Sequence, residues 1–345
     1  MESSGREPLI ALDAMGGDNA PEQIVRGAVL AAREMGVRVA LVGPYSTIVA
    51  ELAKHGRKPD SISIVDAPEV IEMDEHPAHA ARQKKESSIV KGLRMLKERE
   101  ADAFVSAGNT GAVMAASIMY VGRVPGIERP PLAGLMPLSG KLTVFLDVGA
   151  NADAKPVYLL QWAQMASVYM QRVWKIERPT VALLNIGEEE SKGSTLAQEA
   201  YELLRQSGLN FVGNVEGKDL PFGKVDVIVT DGFTGNVAVK TMEGMAEFIM
   251  GELRSAIQSR PWYAAAGFLL MPAFAKVRKK MDYREYGAGP LLGINGLVFI
   301  GHGRSDAKAI SSALRIAREA AQSGMMEAIR EMAPRKTASA AADPD

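Results

Sequence analysis

Along the first 65 residues, short apolar runs alternate with segments whose apolar positions recur at helical spacing. Residues 8–12, 37–42 and 61–65 read as strands. Between them, residues 22–35 set Ile24, Val25, Ala28, Val29 and Ala32 on one face, with Pro21 at the start and Gly36 as a stop. Residues 45–55 read as a second helix. Alternation of this kind predicts an α/β fold: a mostly parallel sheet with helices on both faces. The rhythm breaks over residues 67–88, where the charge density predicts a loop or an exposed helix. It resumes with a helix at 89–99, a strand at 101–106 and a helix at 111–121. Residues 132–137 and 142–147 predict a hairpin turned at Ser139 and Gly140, an antiparallel pair in the sheet. The second half predicts helices at 157–173, 195–206, 236–257 and 307–332, the last with Gly324 as a break. It predicts strands at 180–185, 210–215, 225–230 and 297–301. No repeat or long linker interrupts the pattern, so residues 8–332 predict one domain. Residues 333–345, of low complexity, predict a disordered tail.

Five strand ends share one chemistry. Residues 12–19, 105–111, 146–151, 184–190 and 226–236 each leave an apolar run through Gly, Asn, Asp, Thr or Glu. For one turn, βα-turn geometry is sufficient reason. Five together predict one cleft, because ligands of open α/β sheets bind at the carboxyl ends of the strands. Gly16, Gly17 and Asp18, the run Gly108, Asn109, Thr110 and Gly111, and the run from Gly232 to Asn236 all suit an anion. A glycine turn offers backbone N–H groups, and the following helix adds its positive end. None matches a nucleotide-binding fingerprint.

Composition narrows the classes. The net charge of -1 gives no global field for nucleic acid. The absence of Cys excludes disulfides, thiolate metal sites and a cysteine nucleophile. The first residues lack the basic start and apolar core of a signal peptide. Residues 103–122 are interrupted by polar residues, and 262–275 fall short of the roughly 20 residues a membrane span needs. Asp13, Asp18, Asp147, Asp231 and the run Glu188, Glu189, Glu190 suit cation binding, general-base work or helix capping, without metal-ligand spacing. Lys84, Lys85, Lys192 and Arg284 are cations that could balance an anion. His302 follows a strand and precedes a helix, which makes it the best proton-handling candidate; bonding to its own loop is an equal reading. His76 and His79 lack a third ligand. Residues 260–280 set Trp262, Phe268 and Leu269 beside Lys276, Arg278 and Lys279. Such a block suits an anionic membrane or an acidic partner, or else a helical hairpin in a dimer.

Eight motifs in order carry a family resemblance: residues 13–21 (DAMGGDNAP), 69–73 (EVIEM), 106–112 (SAGNTGA), 146–151 (LDVGAN), 184–190 (LNIGEEE), 213–217 (GNVEG), 231–236 (DGFTGN) and 282–287 (DYREYG). Over residues 9–332 the chain resembles the bacterial phosphate acyltransferase family PlsX. The resemblance implies a reaction in which long-chain acyl-acyl carrier protein and inorganic phosphate give acyl phosphate and free carrier protein, for phospholipid (phosphatidic acid) synthesis. Acyl-coenzyme A is an alternative donor. It also implies a phosphate acetyltransferase-like and isocitrate/isopropylmalate dehydrogenase-like fold, a homodimer, no cofactor, and a cytoplasmic enzyme held peripherally at the inner face of the membrane. A downstream glycerol-phosphate acyltransferase is a further partner. The chain departs from the family at residues 80–86, which are less basic, and at Ile300 and Gly301, where relatives often carry Lys-Ala.

On this resemblance, phosphate is expected at the turns Ser106–Gly111 and Gly232–Asn236, with Lys192 or Lys85. Asn109, Asn236 or His302 would serve the thioester oxyanion or the leaving thiolate, and Asp231 would orient a basic partner. Gly16, Gly17, Asp18, Asp147, Asn151, Glu189, Thr234 and Gly235 complete the expected substrate cleft. Two other classes fit the residues alone: a nicotinamide-dependent dehydrogenase and a non-catalytic acyl-lipid binding protein.

Overall fold

A computed structural model describes residues 6–334 except 140 and 281. Gly140, where the predicted hairpin turns, and most of the predicted tail lie outside the described residues. The expected mostly parallel α/β architecture is present, divided between two sheets.

The first sheet is built from β1 (Leu9–Asp13), β2 (Arg38–Gly43), β3 (Ile62–Asp66) and β4 (Ala103–Ser106). Its helices are α1 (Glu22–Met35), α2 (Tyr45–Ala53), α3 (Pro77–Gln83), α4 (Ser88–Lys97) and α5 (Thr110–Ala116), the last running into a π-helical turn Ser117–Val121. The second sheet is built from β5 (Gly134–Leu138), β6 (Lys141–Leu146), β7 (Thr180–Asn185), β8 (Asn210–Glu216) and β9 (Val227–Val229). Between these strands run α6 (Pro156–Arg172) and α7 (Thr195–Arg205); α8 (Gly232–Gln258) and α9 (Pro261–Lys280) follow β9. The chain then returns to the first sheet through β10 (Ala288–Pro290), β11 (Leu297–Gly301), α10 (Ala307–Gln322) and α11 (Met325–Met332).

Strand order is β10-β11-β4-β1-β2-β3 in one sheet and β5-β6-β9-β7-β8 in the other. Among the described strand pairs, only β10 against β11 and β5 against β6 are antiparallel. The sheets adjoin at β10 and β5, where the Ala133 N–H donates to the Pro290 carbonyl at 3.0 Å. α10 packs on β1, β4 and β11, while α6 packs on β6 and β9 and reaches α11. Their side chains merge the two inner faces into one apolar cluster, from Ile10 and Leu12 through Trp162 and Tyr169 to Val181 and Val227.

The local reasons are those the pattern implies. α1 buries Ile24, Val25, Ala28, Val29 and Ala32, and Gly36 ends it at φ 67°, a conformation that favours glycine. α1 approaches α10 so closely that a Cβ on Gly27 would sit 2.8 Å from the Ala307 carbonyl. The polar break is a loop plus the short α3, which buries Ala80 and Ala81. The predicted last helix is two, separated at Gly324 with φ 69°. α8 begins at Gly232 rather than Asn236, because Asp231 already caps it. The consequence for function is simple. Every predicted polar turn lies at the carboxyl end of a strand that has a parallel neighbour.

Candidate active site

On the first sheet, Asp13 ends β1 fully buried. Its carboxylate accepts the Ser106 hydroxyl at 2.7 Å and the Met15 N–H at 3.1 Å. Ser106 in turn accepts the Gly108 N–H at 3.0 Å. Burial pushes the Asp13 carboxyl up, opposed by hydrogen bonds from Ser106, Ser88 and the backbone of Met15 and Gly16. This bonding sews the β1 and β4 turns together. Gly16 and Gly108 pass so closely that a Cβ on Gly16 would lie 2.6 Å from the Gly108 nitrogen. Gly17, at φ 107°, turns the chain so that the Asp18 N–H donates to the Gly303 carbonyl at 2.8 Å. The loop after β11 thereby joins the same layer.

Asn109 is fully engaged. Its side-chain oxygen caps α5 through the Ala112 N–H at 3.0 Å, and its Nδ2 donates to the carbonyls of Glu72, Met73 and Glu75 at 3.2 Å each. It pins the 67–76 loop over the turn. Thr110 and Gly111 open α5, with Gly111 against Pro77. Lys84 is held by Glu75 and the Val70 carbonyl, both at 2.6 Å, whereas Lys85 is exposed.

The second sheet repeats the device. Asp147, just past β6 and fully buried, accepts N–H groups from Leu132 at 2.9 Å, Ala150 at 3.2 Å and Asn151 at 2.6 Å, and the Asn151 side chain at 2.9 Å. Burial raises its carboxyl and these donors oppose the shift. The Asn151 carbonyl then receives the Gly232 N–H at 2.8 Å. Gly235 lies on the Asp147 carbonyl, leaving no room for a Cβ. Asp231 caps α8, taking the Thr234 N–H at 2.8 Å and the Thr234 hydroxyl at 2.7 Å. No basic partner bonds to Asp231 among the described residues; its oxygens serve the helix. Asn236 is exposed on the first turn of α8, facing Gly149. A cavity of about 370 Å³ at the start of α8 is lined by Ala152, Asp153, Ala154, Leu196, Asp231 and Phe233.

The loop after β7 is largely exposed and is held by its own neighbours. Asn185 accepts the Ile186 N–H and donates to the Lys192 carbonyl at 3.1 Å, and Asn214 donates to the Glu189 carbonyl at 3.0 Å. Lys192 and the Glu188–Glu190 side chains are exposed. Among the described residues, no hydrogen bond or ion pair ties Lys192 or Lys85 to the Ser106–Gly111 turn or to α8.

α8 links the halves. Four residues beyond Asn236, the Lys240 ammonium lies 3.3 Å from His302 Nε2 and 2.8 Å from Glu243. The Arg304 N–H points at His302 Nδ1 at 3.3 Å, and the Arg304 guanidinium reaches Glu247 at 2.6 Å. Burial, then Lys240 and Arg304, push the His302 pKa down, against Glu243 and Asp18. His302 therefore also bonds its own loop, as the plainer sequence reading has it. The motif reading passes over Lys240 and Glu243. Their only signal is Lys240 at i+4 from Asn236 on a helix. Among the described residues no three carboxylate or imidazole groups converge as a metal site requires.

Beyond Glu247, α8 continues into α9 as an exposed arm, in which Gly267 meets Ile257. Trp262, Phe268 and Leu269 on α9 are exposed, Leu269 by 79%. Lys276 is exposed too; the side chains of Arg278 and Lys279 lie outside the described residues.

Residues 9–328 match the family model described as "Fatty acid synthesis protein". The chain is 52% identical over 310 residues to a phosphate acyltransferase of Dictyoglomus turgidum, covering 89% of this chain and 92% of the relative. It is 48% identical over 330 residues to one of Desulfitobacterium hafniense, covering 95% and 98%. In fold it is similar to a phosphotransacetylase from Streptococcus pyogenes, with TM-score 0.60, 18% identity, and 92% and 94% coverage. The EutD phosphotransacetylase from Staphylococcus aureus gives TM-score 0.59, 16% identity, and 92% and 95% coverage.

Proposed function

The chain belongs to the phosphate acyltransferase family PlsX and is a phosphate acyltransferase; from that premise we propose that its acyl donor is a long-chain acyl-acyl carrier protein and its acceptor inorganic phosphate. The observation that supports this reading is the path of α8. The helix runs from Asn236, beside the turn after β6, to Lys240, which meets His302 in the loop after β11, so amide, ammonium and imidazole groups from both halves lie along one stretch of it.

A phosphate oxygen attacks the thioester carbonyl carbon. The carbonyl electron pair becomes an oxyanion and then re-forms the C=O as the C–S bond breaks. The sulfur leaves as thiolate, and the proton of hydrogenphosphate ends on it. Acyl phosphate and free carrier thiol result, with no oxidant and no enzyme-bound acyl group. Hydrogenphosphate is already a nucleophile near neutral pH, so the protein's part is to position it and to stabilise the oxyanion. We assign the oxyanion donor to the Asn236 amide, which is exposed on the cleft face of α8. The N–H groups of the glycine turns, held in place by Asp13 and Asp147, belong to the phosphate side. Lys192, exposed in the loop after β7, suits the incoming substrate.

The acyl phosphate would feed phospholipid synthesis through a downstream glycerol-phosphate acyltransferase. The apolar arm with its basic end suits a peripheral membrane surface, the acidic carrier, or a second protomer. Palmitoyl-carrier protein incubated with the enzyme should release free carrier thiol only when phosphate is present, with acyl phosphate formed one for one. Release at the same rate without phosphate would make the protein a thioesterase and overturn the reading. Asn236→Ala should lower kcat by roughly 10²-fold or more if it serves the oxyanion.

A further inference from the structure

Resting on the reading that phosphate is the acceptor, we propose that Lys240 and His302 form a two-pronged clamp for phosphate oxygens. The two residues come from opposite halves of the molecule: Lys240 from α8, which follows β9, and His302 from the loop that follows β11. Their nitrogens stand 3.3 Å apart.

The hydrogen bonding around the ring decides what that contact is. A backbone N–H only donates, and that of Arg304 points at Nδ1. Nδ1 is therefore the lone-pair side, and a neutral ring carries its proton on Nε2. An ammonium has three N–H groups and no lone pair. Two donors thus face the same small space. Glu243, one turn along α8, takes one ammonium proton at 2.8 Å, on its own helix. The other two remain for further acceptors, beside Nε2–H. A single acceptor oxygen between Lys240 and His302 satisfies both, and the oxygens of hydrogenphosphate are such acceptors.

The neighbouring charges fit recognition by directed N–H groups. Lys240 and Arg304 supply the positive charges. Glu243 and Glu247 on α8, and Asp18 in the turn after β1, supply the negative ones. Three carboxylates outnumber two cations, so the charges alone do not draw an anion, and the directed N–H groups must carry the recognition. Asn236 lies one turn towards the start of α8 on the same helix face, where its amide can meet the acyl group bound next to that phosphate.

The test uses the full chain, inorganic phosphate and palmitoyl-carrier protein. Lys240→Met should raise the KM for phosphate by about tenfold or more, the worth of a charged hydrogen bond. The KM for the acyl-carrier substrate should stay within about twofold. Phosphate should raise the Tm of the wild type and not that of Lys240→Met. Glu243→Gln frees the ammonium and should lower the phosphate KM. An unchanged phosphate KM in Lys240→Met, or a phosphate-dependent Tm rise that survives it, overturns the clamp. Should Lys240→Met fail to fold, Glu243→Gln decides, because an unchanged phosphate KM there also overturns it. The Tm measurement needs no turnover. It therefore separates failure of the clamp from failure of the acyl-transfer reading, which would show as wild-type enzyme without phosphate-dependent thiol release.

Discussion

Three buried or half-buried carboxylates show how a residue's neighbours set its task. Asp13 and Asp147 sit at matching places, one at the end of an interior strand in each sheet, and both are held by N–H or O–H donors from adjoining segments. Burial dominates for both and raises the carboxyl. Asp282 is the opposite case. Burial would raise it, but hydrogen bonds from Arg284 at 2.7 Å and 2.9 Å and from Lys308 at 2.9 Å outweigh that and hold it well below the carboxylate range. The sign follows from linkage. A carboxyl whose folded pKa is depressed contributes stability above its unfolded pKa of about 4, and that contribution is lost as pH falls through the folded value. Asp282→Asn should therefore lower Tm at pH 7, and the gap from wild type should narrow steadily below about pH 4. A gap of constant size across that range would show that the pair is inert. Sequence reading could find Asp13 and Asp147 as strand-end carboxylates. It could not tell a loop anchor from a ligand, because the donors come from residues such as Leu132 and Ser106, distant in sequence from one partner or the other.

At the scale of elements, the strands and helices were legible wherever burial imposed a period. α1, α4 and α10 each have one apolar face, and β11 runs over the residues its apolar run predicts. α8 was misjudged at its start for a local reason. Gly232 and Gly235 look like turn residues, yet here they let the helix pass against Asn151 and Asp147. The division into two sheets was not legible either, since β–α alternation reads the same in one sheet or two. The cap at the start of α8 gives a test of Asp231. Its oxygens bond Thr234, so the residue fixes where the helix begins and hence where Asn236 and Lys240 point. Asp231→Ser keeps a capping oxygen and should retain most turnover. Asp231→Ala should cost about 1 kcal/mol of stability and reduce kcat. If Ser and Ala variants lose activity equally while unfolding at the same denaturant concentration as wild type, the carboxylate itself acts in the reaction.

For the whole molecule, the arm is the part whose surface contradicts its setting. The body buries its apolar residues in a core shared by both sheets. α8 and α9 leave theirs outside: Phe233, Val237, Met245, Ile249 and Leu253 recur along one ridge of α8, and Phe268, Leu269 and Leu270 project from α9. Within the arm, Gly267 packs against Ile257, so the helices touch without covering these faces. An apolar surface of this kind marks a contact. No helix among the described residues is long and apolar enough to cross a membrane. We propose an anionic lipid surface as the arm's partner, because the sequence from Lys276 to Lys280 is basic. Replacing Phe268 and Leu269 together by Glu should abolish sedimentation with phosphatidylglycerol vesicles. The body should still melt within a few degrees of wild type, since exposed substitutions shift stability by about 0.5 kcal/mol. Turnover with soluble palmitoyl-carrier protein should persist, because the pair stands on α9, away from Asn236 and Lys240. Conversion to monomers on gel filtration with vesicle binding intact would assign the arm to a second copy of the chain. A raised KM for the carrier alone would assign it to the carrier. The three occupants differ in what each loss leaves behind, so one double variant read three ways separates them.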